Sequence, residues 1–233
     1  METSLHRQLK QLYAGDAART EVRLGRWRID AVLDDELIEI QLGSLAAIRQ
    51  KVAALVGEHR VRVVKPIIRE KRLLKQSAPD GPVIERRLSP KRGGWLDLFD
   101  ELIYFRHIFP HPQLTLDVAL VDIEEIRYPG HGRRRRWRRN DHVSADQRLV
   151  EVHETRRFES LRDILAFVPS SLPEQFDTAE LAAAVALPRH RAQKMAYCLR
   201  HMQAFLSVGK RGRAQLYTVA TPPRPRRRKR RAA

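Results

Sequence analysis

The sequence predicts a mixed α/β fold followed by a smaller helical unit that ends in a hairpin. Three observations carry that reading. Apolar residues recur at helical spacing over Ser4 to Tyr13, then alternate from Arg19 to Leu42. Helical spacing returns over Leu45 to Val56 and gives way to the β-branched run Arg60 to Val64. Beyond residue 160 the pattern is helix, helix, helix and two short strands around a basic turn.

Leu5, Leu9 and Leu12 stand at steps of four and three, which predicts one apolar side on a helix that Gly15 and Asp16 end. Val22 and Leu24 alternate with Arg19, Glu21 and Arg23. After Gly25, Trp27, Ile29, Ala31 and Leu33 alternate with Arg28, Asp30 and Val32. These are two strands of a hairpin, and Asp34-Asp35 turns the chain into a third, Leu37 to Leu42. Ser44 is placed to cap a helix of Leu45, Ile48, Val52 and Leu55. Residues 1–66 therefore read αβββαβ, and residues 67–128 extend them. Ile67 to Gln76 and Val83 to Leu88 flank the turn Pro79-Asp80-Gly81-Pro82 as a second hairpin. Its Arg69, Lys71, Arg72, Lys75, Arg86 and Arg87 offer a basic face, tempered by Glu70 and Glu85. Trp95 to Ile108 is a helix, and Leu114 to Tyr128 gives one or two strands. His107 and His111 have a metal-like spacing, but Pro110 and Pro112 break any helix that would align them.

Two acids interrupt otherwise apolar strands: Asp30 between Ile29 and Ala31, and Glu39 between Ile38 and Ile40. Carboxylates are disfavoured in strands and costly to bury unpaired. Alternation puts Glu39 and Gln41 on one face, and pairing across Asp34-Asp35 brings Asp30 toward Glu39. Two carboxylates meeting at a sheet suit a hard divalent cation, Mg²⁺ or Mn²⁺, a constellation for phosphodiester hydrolysis. In the alternative, both acids are exposed strand residues paired with Arg23, Arg26 or Arg28.

With Asp30 on the second strand and Glu39-Ile40-Gln41 on the third, residues 1–66 resemble the PD-(D/E)xK nuclease superfamily, which includes restriction enzymes, Holliday-junction resolvases and repair nucleases. The resemblance implies a restriction-endonuclease-like core in which Asp30 and Glu39 hold the metal and Gln41 orients the attacking water. Gln41 stands where the motif carries Lys; Lys65 or Lys51 is a candidate for the missing charge. Family members often carry a Glu in the first helix, whereas no acid lies between Thr3 and Tyr13, and Glu21 is a candidate substitute.

The chain of 233 residues has 45 Lys plus Arg against 28 Asp plus Glu, a formal charge of +17. Arg133, Arg134, Arg135, Arg136, Arg138 and Arg139 supply six of these charges, and the basic residues of 224–231 supply seven. Neither run contains an acid, so +4 remains for the rest. A nucleic acid, DNA or RNA, is the expected partner. Trp137 can stack on a base while its arginine neighbours meet phosphates. Residues 129–147 read as a basic flexible linker and 221–233 as a disordered tail. No apolar run reaches the roughly 18 residues of a membrane span, and Met1 to Lys10 lacks the core of a signal peptide. A cytoplasmic protein without membrane contact is expected. The single cysteine, Cys198, excludes an internal disulfide, and its helical neighbours predict burial. No phosphate loop of the kind that binds ATP is present.

Residues 148–220 read as a second domain. After a strand-like stretch to Phe158, Leu161, Ile164, Leu165 and Phe167 form a helical set. Asp177 to Glu180 signals a helix start, and Pro188 opens another with Ala192, Met195, Ala196, Leu199 and Met202 on one side. Phe205 to Val208 and Gln215 to Val219 are strands around Gly209 to Arg213. This pattern resembles the winged-helix DNA-binding fold. The resemblance implies that Arg189, His190, Gln193, Lys194 and Tyr197 face DNA, with Lys210, Arg211 and Arg213 as the wing. The expectation is a metal-dependent DNA endonuclease delivered by that domain, with a homodimer as one way to cut both strands. The alternatives are a non-catalytic DNA-binding regulator on a degenerate nuclease fold and an RNA-binding or RNA-processing protein.

Overall fold

The first helix, α1 (Ser4–Ala14), begins where the Thr3 hydroxyl accepts from the His6 N–H at 3.3 Å, and it ends at Gly15, whose φ of 72° favours glycine. Leu5 and Leu9 are buried, but Leu12 is 58% exposed; the apolar line runs Leu5, Leu9, Tyr13 at steps of four. These coordinates are a computed structural model that describes residues 2–130 and 141–220. The chain divides into two units between Ser160 and Leu161.

In the first unit, β1 (Arg19–Leu24) and β2 (Trp27–Leu33) form an antiparallel hairpin, and β3 (Glu36–Ile40) follows after the Asp34-Asp35 turn. Asp34 has a φ of 52°, a left-handed conformation that Asp tolerates. Ser44 accepts from the Ala46 N–H at 3.2 Å and opens a 3₁₀ turn (Leu45–Ile48) that runs into α2 (Arg49–Leu55). The chain then returns as β4 (Arg60–Gln76), parallel to β3. A short 3₁₀ turn (Trp95–Asp97) and α3 (Leu98–Phe105) follow β5 (Val83–Leu88), and β6 (Leu114–Pro129) and β7 (His142–Phe158) complete the sheet. Among the described residues the strand order is β1-β2-β3-β4-β6-β7, with β5 paired to the far part of β4. The architecture is mixed α/β, with helix, three strands, helix and strand in that chain order over the first 76 residues.

Alternation sorts the sheet into two faces. Ala31, Ile38, Ile40, Val64, Ala119, Val121 and Ile123 form one apolar cluster with Leu5 and Leu9 of α1. Leu37, Glu39, Val61, Val63 and Lys65 point the other way, where Lys51 of α2 meets Glu39 and Glu101 of α3 meets Lys65.

The middle of the chain differs from expectation in two ways. Arg60 to Gln76 is one continuous strand through Pro66, because Pro66 falls where the β3 ladder has ended at Val64 and the β5 ladder has not begun at Arg72. The missing N–H therefore leaves no gap in either ladder. Arg148 to Phe158 is not part of a separate domain: it belongs to β7, which pairs with β6 from Leu116↔Phe158 to Pro129↔His142. The stretch expected to link two domains instead connects two partners in one sheet, and the Gly130 N–H donates to the Asp141 carbonyl at 3.1 Å.

The second unit contains α4 (Leu161–Leu165), α5 (Thr178–Ala184), α6 (Arg189–His201) and a hairpin of β8 (Phe205–Arg211) and β9 (Ala214–Val219). Asp177 caps α5, accepting from the Ala179 and Glu180 N–H groups at 2.7 and 3.0 Å, while Glu180 accepts from the Asp177 N–H. Ala192, Met195, Ala196, Cys198 and Leu199 of α6 are buried, so the one cysteine is enclosed. Phe176 and Phe205 pack edge to face at 5.0 Å, and Tyr217 completes the cluster.

Candidate active site

The β2–β3 ladder ends at Ala31↔Ile38. One step beyond, the Asp30 carboxylate takes the place of a strand carbonyl and accepts from the Ile40 N–H at 2.8 Å. Asp30 also meets His6 Nε2 at 3.2 Å. Burial alone would raise its pKa, but the His6 contact and the Ile40 N–H outweigh it and hold the carboxyl below its ordinary value.

Glu39 is 4% exposed. Its Oε1 lies in ion-pair contact with Lys51 Nζ, which also donates to the Arg28 carbonyl. Burial, opposed only in part by Lys51, pushes the Glu39 carboxyl up to about 7, and the nearby Asp30 charge adds to the rise. Asp30, Glu39 and Lys51 thus form one electrostatic cluster drawn from β2, β3 and α2. The two acids are not exposed strand residues paired with nearby arginines; their cation partners are His6 and Lys51.

A cleft of about 440 Å³ opens beside Asp30 and is lined by Glu2, His6, Glu21, Arg28, Asp30 and Gln41, among others. Its charges alternate along a chain of contacts. Arg28 pairs with Glu21, Glu21 with Lys10, Lys10 with Glu2 at 2.8 Å, and Glu2 with His6 Nδ1 at 2.6 Å. Glu21 reaches this position with a φ of 56°, a left-handed backbone that a non-glycine residue adopts at a cost. The His6 imidazole, bonded first to Asp30 and then to Glu2, is pushed up to about 9 despite partial burial. Gln41 lines the cleft and donates from Nε2 to the Ser44 carbonyl at 2.9 Å.

Sequence reasoning missed Glu2, His6 and Lys10. The search for an acid within Thr3 to Tyr13 stopped one residue short of Glu2. The readable signal was the step of four from His6 to Lys10, which stacks the two on one helix side, with Glu2 just before the cap in reach of both. Lys65 differs from expectation in a different way. It is 5% exposed and donates to the Leu42 and Gly43 carbonyls, with Glu101 Oε1 at 3.4 Å. Its ammonium holds the loop after β3 against α3, and burial lowers its pKa.

The residues fit a hard divalent cation. Glu39 is a buried carboxylate whose Oε1 meets only Lys51 among the described ion pairs, and Asp30 and Glu39 are oxygen donors of the type that Mg²⁺ and Mn²⁺ take. Asp122, Glu151 and His153 also approach one another on β6 and β7. There both Asp122 oxygens receive Arg69, at 3.0 and 2.6 Å, and one also meets His153 at 2.9 Å.

On the second unit, Arg189, His190, Gln193, Lys194 and Tyr197 are exposed along α6, opposite its buried face. Lys210, Arg211 and Arg213 are exposed at the hairpin tip, where Gly212 has a φ of 61° and Arg211 pairs with Glu180 at 2.9 Å. Arg133 to Arg136, Trp137, Arg138 and Arg139 lie outside the described residues, as does the tail from 221. The basic face expected on β4 and β5 is mostly compensated: Arg69 pairs with Asp122, Lys71 with Glu125, Arg72 with Glu70, and Lys75 and Arg87 with Glu85, while Arg86 is exposed. His111 Nδ1 accepts from the Gln113 N–H at 3.1 Å in the loop after α3.

No helix among the described residues is long and apolar enough to cross a membrane. No solved structure matches the chain. A protein of Treponema pallidum (strain Nichols), which carries only the name "Uncharacterized protein", is 28% identical over 225 residues, covering 95% of this chain and 86% of its own length. A family model described as "Domain of unknown function (DUF8091)" matches residues 3–159, which begin at the Thr3 cap and end one residue short of the boundary between the two units. The chain belongs to that family, and its matched region contains every lining residue of the cleft except Glu2.

Proposed function

We propose that the protein is a metal-dependent DNA endonuclease whose chemistry resides in the cleft beside Asp30. The observation that carries the reading is the approach of Asp30 and Glu39 where β2 and β3 part, with Glu39 buried and held protonated up to about 7 by that burial and by the Asp30 charge. Asp30 and Glu39 would hold Mg²⁺ or Mn²⁺, which when bound supplies a Lewis acid to offset charge on the phosphoryl oxygens. His6 and the Ile40 N–H fix the Asp30 carboxylate before substrate arrives. Gln41 is positioned to orient a water through its amide, and Lys51 contributes the positive charge that Gln41 lacks. Support for a winged-helix-like role of the second unit comes from the exposed basic residues of α6 and the β8–β9 tip.

The test is incubation with supercoiled, linear, branched and single-stranded DNA and with RNA, in Mg²⁺, Mn²⁺ or chelator. Cleavage that needs the metal and disappears in both Asp30→Asn and Glu39→Gln, with binding kept, is the expected result. One observation favours a second reading, a non-catalytic DNA-binding regulator: His6 and Lys51 already neutralise both acids without a metal. Tight binding with no metal-dependent cut on any substrate would select it.

A further inference from the structure

The β1–β2 hairpin ends in a two-residue turn, Gly25-Arg26, closed by the pair Leu24↔Trp27. Gly25 has a φ of 57°, which lets the turn stay this short and fixes where the flanking side chains stand. Arg23, Arg26 and Arg28 are exposed around the tip, and Arg28 also lines the cleft. The Arg26 guanidinium lies over the Trp27 ring, 4.4 Å from its centroid.

Most cations of β4 and β5 are matched, by Asp122, Glu125, Glu70 and Glu85. At this tip Arg28 has Glu21, but Arg23 and Arg26 form no ion pair among the described residues. Glu21 is already shared between Lys10 and Arg28 and offers them little. The hairpin thus presents two guanidinium groups without an ion pair beside Arg28, which pairs with Arg23 across the hairpin and lines a cleft whose own charges alternate in sign. An arginine held flat on an indole has surrendered much of its rotamer freedom before any ligand arrives, so it binds a phosphate at reduced entropic cost.

We infer that the β1–β2 tip is a substrate-holding element: Arg23 and Arg26 grip the phosphates of duplex DNA and lay its backbone across the Asp30 cleft. The inference rests on the nuclease reading of that cleft and names the contact that orients its substrate. The tip positions the backbone and reads no bases, so its effect is the same for any sequence.

The experiment compares full-length wild type with Arg23→Ala/Arg26→Ala and with a charge-matched control, Arg72→Ala/Arg87→Ala. Binding of a 20-bp duplex is followed by anisotropy across a salt series, and cleavage is measured with Mn²⁺. In the tip variant the salt slope should fall by about 1.8, from two phosphate contacts at about 0.9 each. Its KM should rise about tenfold with kcat within about twofold of wild type, the signature of lost uniform binding. The control should keep both values. Cleavage by wild type with an unchanged slope and KM in the tip variant overturns the contact and leaves the nuclease reading standing. Equal losses in tip and control overturn it too, because net charge alone would then explain them. A salt-slope fall in the tip variant alone, together with a wild type that never cleaves, supports the contact and removes the nuclease reading.

Discussion

His6 and Glu39 are both shifted toward their protonated forms in the folded chain, the first up to about 9 and the second up to about 7. For each, the folded pKa lies above the unfolded one, so the stabilisation is complete below the unfolded pKa and is lost as pH rises through the folded value. The two windows are pH 6.5–9 for His6 and pH 4.5–7 for Glu39. Denaturant unfolding across pH 5–10 should therefore show stability falling as pH rises. His6 should account for about 1–2 kcal/mol after allowance for its partly solvated setting. His6→Gln should flatten the upper window and Glu39→Gln the lower. Mg²⁺ or Mn²⁺ at pH 8 should raise the melting temperature of wild type but not of Glu39→Gln, because a ligand that binds only the folded chain stabilises it by mass action. At this scale Asp30 and Glu39 were legible, since an acid between two apolar strand residues contradicts its surroundings. His6 was not, because a histidine near a helix start has no pattern to violate until Asp30 is placed opposite.

Lys65 shows what the element scale adds. Its place at the end of a parallel run made it a candidate for the reaction, but its neighbours are carbonyls of the loop after β3 and a carboxylate of α3. Lys65→Met should cost about 3 kcal/mol, because it strands buried acceptors and the Glu101 charge. Thermal melts would measure this, and the folded fraction at low temperature should retain its kcat. A large kcat loss with unchanged stability would return Lys65 to the site. Strands and helices of the first 60 residues could be read from period alone, because each has one apolar face and a turn residue at its end. The continuity of β4 could not: Pro66 is a legitimate break signal, and only the positions of β3 and β5 show that no ladder needs its N–H.

At the scale of the whole chain, the sequence indicated two parts and misplaced their boundary. Composition drew it at the arginine run, the most polar stretch, whereas pairing draws it after Phe158, since a strand legible from its own residues does not reveal which sheet it joins. A chain ending at Ser160 should accordingly fold, with a cooperative melt and the sheet signal of the full protein in circular dichroism; a chain ending at residue 147 should not, because β6 would keep β4 on one side but lose most of β7 on the other. The closure of Pro129 onto His142 has a further consequence. Pairing already holds the two strand ends together, so replacing the ten residues between Gly130 and Asp141 by a short turn should leave the melting temperature unchanged. By the same logic, fragments 1–135 and 136–233 produced together should associate and co-purify. The place richest in arginine is then a natural split point, where the protein can be divided into two halves that reassemble through β6 and β7.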